Sequence, residues 1–312
     1  MQLPFEIDYV FPWVNDTDKV WRKVFTDYCK KRGAMWRVIQ LENERFRDWG
    51  LLKFLLRSVA KNMPWIRKLH LIVSNIEQVP QWINQENVDI VLHEQFIPNK
   101  FLPTFNSTAI EMFLPYIPDL AEHFIYANDD MYIMNPCEPS DFFTEDGRPK
   151  FKMRQIESAT IKGQQYNVVC SNQWWKMASK MHLKVDRKYY MRQHHSTTPM
   201  VKTKCFEALE LFGQDYVDST ITNFRQDHNM NQYIFTNYCH LTGYKEDSEL
   251  QFEYCGANKP KHLVDCFAST KAQILCANDC STTLSPLQLT QLQVLCAAVL
   301  EHRFPEKCKY EN

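Results

Sequence analysis

Residues 124–131 read FIYANDDM, an apolar run that breaks into Asn128, Asp129 and Asp130. No other stretch limits the fold as much, because burying an unpaired carboxylate costs several kcal/mol or forces its pKa away from the normal range. Two adjacent acids at the end of a strand therefore need solvent or a cation. In open α/β sheets, ligands collect in the crevice beyond the carboxyl ends of the strands, and oxygen donors of this kind suit Mg2+ or Mn2+ carrying a substrate phosphate. A cap on the next element plus one solvated side chain would leave the same letters, so both readings stay open on the residues alone.

The elements around this stretch alternate. Ile7 to Val14 reads as a β-branched and aromatic strand. Asn15, Asp16, Thr17 and Asp18 turn the chain and cap a helical pattern from Lys19 to Lys31. Arg45, Arg47 and Asp48 open the amphipathic run 45–58, and Leu69–Ser74 and Val88–His93 read as further strands. Asn106 or Ser107 caps a helix leading toward Leu114, and Ser285 with Pro286 starts the last one. Strands alternating with helices predict a mainly parallel, helix-covered sheet. At 312 residues, 45% of them apolar, the chain can bury one large core or two smaller ones.

Composition excludes several functions. Lys and Arg number 36 against 37 Asp and Glu, so no net field draws nucleic acid. The seven glycines never lie closer than thirteen positions apart. That rules out a Walker loop or a dinucleotide fingerprint, which need clustered glycines to bring backbone amides onto phosphate. Phosphate must then be met by metal, Arg, Lys, His or helix termini. Eleven cysteines without paired C-x-x-C spacing argue against both a disulfide framework and a tetrahedral zinc site. The N-terminus lacks the basic and apolar regions of a secretory signal and no run approaches a membrane span, which leads us to expect a soluble, cytoplasmic protein.

Further candidates lie downstream. From Glu145 to Lys204, thirteen Lys or Arg face four Asp or Glu. Such a stretch fits a phosphorylated acceptor, a polyanionic glycan or an anionic membrane surface, or is in part a solvated face. His194 and His195 lie near its end. Arg225, in NFRQDHNMN, has the geometry to clamp phosphate oxygens or to pair with Asp227. Ala277-Asn278-Asp279 repeats the Asn-Asp signature of the central stretch.

Four blocks of the sequence resemble the Stealth family of sugar-phosphate transferases, which includes bacterial capsule phosphotransferases and the animal N-acetylglucosamine-1-phosphotransferase. They are IDYVFPWVNDTD at 7–18, the run 45–143, HHSTTP through Gly243 with NFRQDHNMNQYIF, and CAND at 276–279 with FPEKCKYE at 304–311. Pro12 stands where the family more often has Thr, Asp16 where Gly is common, and HHSTTP departs from the usual His-x-Pro.

The resemblance implies a GT-A-like, Rossmann-related core with a mostly helical C-terminal portion. Residues 1–150 would bind the nucleotide sugar, and 151–312 would complete the same catalytic domain. It implies transfer of a hexose-1-phosphate or N-acetylhexosamine-1-phosphate from a UDP-sugar to a hydroxyl of a glycan or lipid-linked glycan, releasing UMP, in capsule or cell-surface polysaccharide synthesis. Asp130, His195 and Arg225 take the catalytic positions, with His194 a rival for the imidazole. Asp129, Asp130, Asn278 and Asp279 are the expected ligands of Mg2+ or Mn2+. Trp13, Asn15, Asp18, Arg45, Arg47, Asp48, Asn106, Ser107, Asn128 and His194 would line the substrates. Peripheral attachment to the inner face of a membrane is expected from the basic stretch. The alternatives are a conventional glycosyltransferase releasing UDP and a non-catalytic glycan-binding protein.

Overall fold

The computed structural model describes residues 3–33, 46–158, 165–280 and 284–312. In chain order the strands are β1 (Ile7–Pro12), β2 (Leu69–Val73), β3 (Val88–Leu92), β4 (His123–Tyr126), β5 (Met131–Ile133), β6 (Met153–Glu157), β7 (Tyr189–Gln193), β8 (Thr198–Val201), β9 (Phe252–Gly256) and β10 (Ile274–Asn278). The α-helices are α1 (Lys19–Lys31), α2 (Leu52–Asn62), α3 (Ser107–Met112), α4 (Pro139–Phe142), α5 (Gln165–Lys180), α6 (Lys202–Phe212), α7 (Gln214–Thr220), α8 (Tyr233–Leu241), α9 (Pro260–Ser269) and α10 (Pro286–Arg303). The chain is α/β, as the alternation of strands and helices predicts, with its parallel strands mostly in the N-terminal third and helices dominating the C-terminal portion.

The chain forms two compact units, and both are assembled from separated segments. One contains 1–8, 93–126 and 139–248, the other 9–92, 127–138 and 249–312. This division differs from the expected ranges 1–150 and 151–312. The reason lies in strand pairing: β10, near the C-terminus, pairs with β5 in the middle of the chain and with β9.

In the second unit, β1 runs parallel to β2, with Tyr9 opposite Leu69, and β2 runs parallel to β3, with Leu71 opposite Ile90. Every residue of β2 is buried, which is the expected state of a parallel strand covered on both faces. α1 buries Trp21, Phe25 and Cys29, one stripe at intervals of four. It begins where Asp18 Oδ1 accepts a hydrogen bond from the Trp21 N–H at 2.6 Å and ends on Lys30 and Lys31, which favour the negative end of the helix dipole.

The amphipathic run expected from Arg45 becomes helical only at Leu52. Asp48 Oδ1 accepts from the Gly50 N–H at 2.9 Å, and Gly50 takes φ +70°, a turn that holds the chain out of the helix. α2 then carries Arg57 into the interior. The guanidinium forks onto Glu311, Nε to Oε1 at 2.7 Å and Nη2 to Oε2 at 3.0 Å, and Nη1 donates to the Phe304 carbonyl at 2.8 Å. Burial alone would raise the Glu311 carboxyl, but these bonds hold it below its ordinary range.

A smaller sheet completes this unit, with β10 antiparallel to β5 and parallel to β9. α10 opens with a reciprocal capping box between Ser285 and Gln288.

In the first unit, β4 pairs antiparallel with β8, Phe124 facing Met200, and β6 pairs antiparallel with β7. Cys170, Trp174, Tyr190 and Tyr233 form a buried cluster joining α5, β7 and α8. Among the described residues no helix is long and apolar enough to cross a membrane.

Candidate functional site

Two groups of chemically capable side chains stand out, one in each unit. In the unit of β1, β2 and β3, the acidic pair leads into β5. Asp130 is fixed by its own backbone, whose carbonyl accepts from the Ala277 N–H at 2.8 Å. Its Oδ2 accepts from Asn278 Nδ2 at 3.2 Å and from the Cys276 thiol at 3.3 Å. Its Oδ1 is sealed from solvent and has no hydrogen-bond partner among the described residues.

The neighbouring Asp129 carboxyl is pushed up to about 7, by burial among the surrounding chain and then by the negative charges of Asp130 and Asp48. Asp129 itself opens to solvent, and the like-charge repulsion from Asp130 and Asp48 sets the direction of this shift. Burial also raises the Asp48 carboxyl, with Asp16 adding to the rise against hydrogen bonds from Gly50 and Trp13. Two carboxyls raised in this way beside the unpartnered Asp130 oxygen call for a cation.

The orphaned Asp130 oxygen beside Asp129 fits a divalent metal, since hard oxygen donors without protein partners are what Mg2+ and Mn2+ take. Asp279 stands differently. Its Oδ2 already accepts from Arg47 Nη1 at 2.9 Å and Trp49 Nε1 at 2.8 Å. Asn278 is tied to Asp130 through its amide nitrogen. Asn128 accepts the Met131 N–H at its carbonyl, 3.1 Å away, and closes the turn around the pair.

The polar residues after β1 act locally. Asn15 Oδ1 accepts from the Thr17 N–H at 2.9 Å and hydroxyl at 2.7 Å, and Asp18 caps α1. Trp13 is buried. Arg45 lies outside the described residues.

The other unit gathers cations and phenols. Arg225 Nη2 donates to Ser107 Oγ at 2.7 Å. Asn106 caps α3, its Oδ1 accepting from the Thr108 N–H, and its amide donates to the Thr222 carbonyl and to Asn229 Oδ1, both at 3.0 Å. This buried mesh fixes the base of α3 and the loop carrying Arg225.

Beyond the end of β7, His195 Nδ1 lies 3.4 Å from the Tyr233 hydroxyl, to which Tyr166 donates at 2.9 Å. His194 is held below its ordinary pKa by burial and by Arg154, Arg192 and Lys152, so it is neutral near pH 7.

Sequence reasoning passed over Glu111 and Arg192. Glu111 Oε2 accepts the Gln232 N–H at 2.8 Å, and burial raises the carboxyl to about 7 against that bond and the charge of Arg225. An acid inside the apolar stretch AIEMFL is the signal that would have found it. The Arg192 guanidinium lies 4.8 Å from the Tyr166 ring centroid, and its Nε and Nη1 have no hydrogen-bond partner among the described residues. It follows the aromatic run Tyr189-Tyr190-Met191, where an inward charge is out of pattern.

Comparison with known proteins adds the following. The pattern of Stealth protein CR2, conserved region 2, matches residues 45–151. The exopolysaccharide phosphotransferase cps2G of Lactiplantibacillus plantarum is 40% identical over 152 residues, 47% of this chain and 42% of its own length. The capsular polysaccharide phosphotransferase WcwK of Streptococcus pneumoniae is 27% identical across 98% of both chains. The chain thus spans less than two thirds of the length of several of the relatives it matches, with shares of 42%, 65% and 44% for three of them. Among solved structures, the galactosyltransferase LgtC with donor and acceptor sugar analogs aligns over 93% of this chain and 95% of its own, at 11% identity and a TM-score of 0.41.

Proposed function

Because residues 45–151 match Stealth conserved region 2 and one phosphotransferase relative aligns along the whole chain, we propose that this is a Stealth-family enzyme that transfers a sugar-1-phosphate from a nucleotide sugar to a glycan hydroxyl. The donor is a UDP-hexose or UDP-N-acetylhexosamine. The acceptor oxygen forms a bond to the sugar-proximal phosphorus, and the bond from that phosphorus to the bridging oxygen breaks. UMP leaves with that electron pair, and the product is a phosphodiester between sugars. The acceptor's proton passes to a base.

Phosphoryl-type transfer asks mainly for positioning and for neutralisation of oxygen charge. The observation that carries the proposal is the orphaned, solvent-sealed Oδ1 of Asp130 beside the repelled carboxylates of Asp129 and Asp48. Asp130 and Asp129 would hold Mg2+ or Mn2+; when bound, the ion neutralises diphosphate charge and eases departure of the monophosphate. Asn278 orients the Asp130 carboxylate, and Arg47 with Trp49 keeps Asp279 in place. Arg225, steadied on Ser107, supplies a planar fork for nonbridging phosphate oxygens. His195, with Tyr233 against its Nδ1, takes the acceptor proton, since imidazole titrates near neutrality. The basic stretch 145–204 would attract a polyanionic acceptor or the anionic face of a membrane.

Incubation with a panel of nucleotide sugars and an oligosaccharide acceptor, followed by ³¹P spectroscopy, tests this reading. A new phosphodiester resonance together with UMP supports it. UDP release would instead identify transfer of the sugar alone, and no turnover with any donor would remove the enzymatic reading.

A further inference from the structure

Behind β9 and α9, in the unit that carries the acidic pair, four donor side chains meet. Glu253 and Cys255 are two apart on β9 and so share one face of that strand. His262 and Cys266 are four apart on α9 and share one face of that helix. The strand face and the helix face bring all four ligand atoms within 4.8 Å of one another. His262 Nε2 lies 3.6 Å from Cys255 Sγ and 3.8 Å from Cys266 Sγ, and Cys266 Sγ lies 3.3 Å from Glu253 Oε1.

A tetrahedral Zn2+ with bonds of about 2.3 Å to sulfur and about 2.0–2.2 Å to nitrogen or oxygen sets S···N and S···O edges near 3.6 Å, which is close to these separations. The second oxygen of Glu253 is itself engaged, accepting from the Thr270 hydroxyl, as carboxylate ligands are oriented in metal sites.

In this structure the two sulfurs are joined as a disulfide across α-carbons 7.1 Å apart, beyond the roughly 4.4–6.8 Å that such bridges usually span. A disulfide also gives His262 and Glu253 no part. We propose that the reduced Cys255–Cys266 pair, with His262 and Glu253, is a structural Zn2+ site. An external dithiol reduces the S–S bond by exchange and is itself oxidised to a disulfide. Zn2+ then displaces the two thiol protons to solvent and binds two thiolates, an imidazole and a carboxylate.

The site pins α9 to β9. In the register of β9 with β10, Cys255 faces Ala277 and Gly256 faces Asn278, so the pin sits one residue from the strand position whose amide holds Asp130. This inference concerns donors separate from the proposed catalytic groups and stands whether or not the chain transfers sugar phosphate.

The test uses the intact chain purified with a thiol reductant and dialysed free of loose metal. About one Zn2+ per chain should remain, and replacement by Co2+ should give a thiolate charge-transfer absorption with the intense visible bands of a tetrahedral ion. Cys255→Ser and Cys266→Ser should lose both. His262→Ala, a change at an exposed position, keeps the fold measurable while Zn2+ retention falls. Asp130→Asn and Cys276→Ser should leave the Co2+ spectrum unchanged, which separates this site from the acidic one. The proposal is overturned if reduced, folded protein retains no Zn2+, if the cysteine and histidine variants retain as much Zn2+ as the parent, or if protein acid-quenched directly from cells yields Cys255 and Cys266 as a linked peptide pair.

Discussion

Asp129 in one unit and Glu111 in the other both have carboxyls pushed up to about 7, and the surroundings that produce this could hardly differ more. Around Asp129 the neighbours are further acids, Asp130 and Asp48, and Asp130 has an oxygen with nothing to accept from. Around Glu111 the neighbours are donors: the Gln232 N–H at 2.8 Å, the Tyr126 hydroxyl at 3.5 Å and the charge of Arg225, all resisting a rise that burial imposes. The first is a site with too few positive partners. The second is a satisfied buried acid whose proton offsets the absence of water. A perturbed acid therefore marks a ligand site where an unpartnered acceptor lies beside it: Asp129 stands next to Asp130 Oδ1, which has no partner among the described residues, whereas both oxygens of Glu111 accept hydrogen bonds.

The comparison breaks most visibly in turnover. Asp130→Asn should lower the rate of phosphodiester formation by about a thousandfold or more, the scale on which charge-stabilising groups act in phosphoryl transfer, with folding by circular dichroism unchanged. A variant within tenfold of the parent would strip the acidic cluster of its role. Arg225→Lys, which keeps the charge and loses the planar fork, should cost on the order of a hundredfold, mostly in kcat.

Mn2+ or Mg2+ sharpens the contrast without any mutation. Carboxyl NMR of Asp129 should show its pKa falling by at least about one unit on saturation, because a cation favours the ionised form, while Glu111 stays where it is. A metal that moves both equally, or neither, would erase the distinction drawn between them.

The smallest effect is on stability. With its folded pKa raised to about 7 from an ordinary 4.5, Glu111 keeps a proton in the folded chain that the unfolded chain gives up. Its contribution is fully present below about pH 4.5 and is lost as pH climbs through 7, since the unfolded state then binds fewer protons. Glu111→Gln should flatten that part of a denaturant-midpoint profile and leave the acidic side unchanged; an unaltered profile would mean the acid is ionised at all these pH values.

Much of the scaffold was legible from local pattern. The stripe of α1, its Asp18 cap and the Ser285–Pro286 start of α10 each follow from residues within a few positions of one another. The acidic pair was readable as a strand end, and the second Asn-Asp sequence led to Asn278, which the fold sets against Asp130.

Long-range partnerships left no such trace. The Arg57–Glu311 fork joins residues 254 apart, and nothing periodic connects a helix in the first fifth of the chain to its last residues. Losing Glu311 should leave the buried guanidinium with Glu301, at 3.2 Å and half exposed, as its remaining carboxylate partner, a change of about 3 kcal/mol. The cluster on β9 and α9 escaped notice for a different reason: its cysteines are not paired as C-x-x-C, and only the meeting of a strand's period of two with a helix's period near four reveals it. The delayed start of α2 likewise depended on a turn at Asp48 and Gly50 that the amphipathic pattern concealed.

The interleaving of the two units bears on biogenesis. Asp48, Asp129 and Asn278 come from three separated segments of one unit, and the segment 249–312 is the last of these to be synthesised. A ribosome that has made two thirds of this polypeptide holds the acids but not β10, the strand that orients them. Stalling between residues 131 and 273 would therefore leave the acidic pair without the strand that orients it.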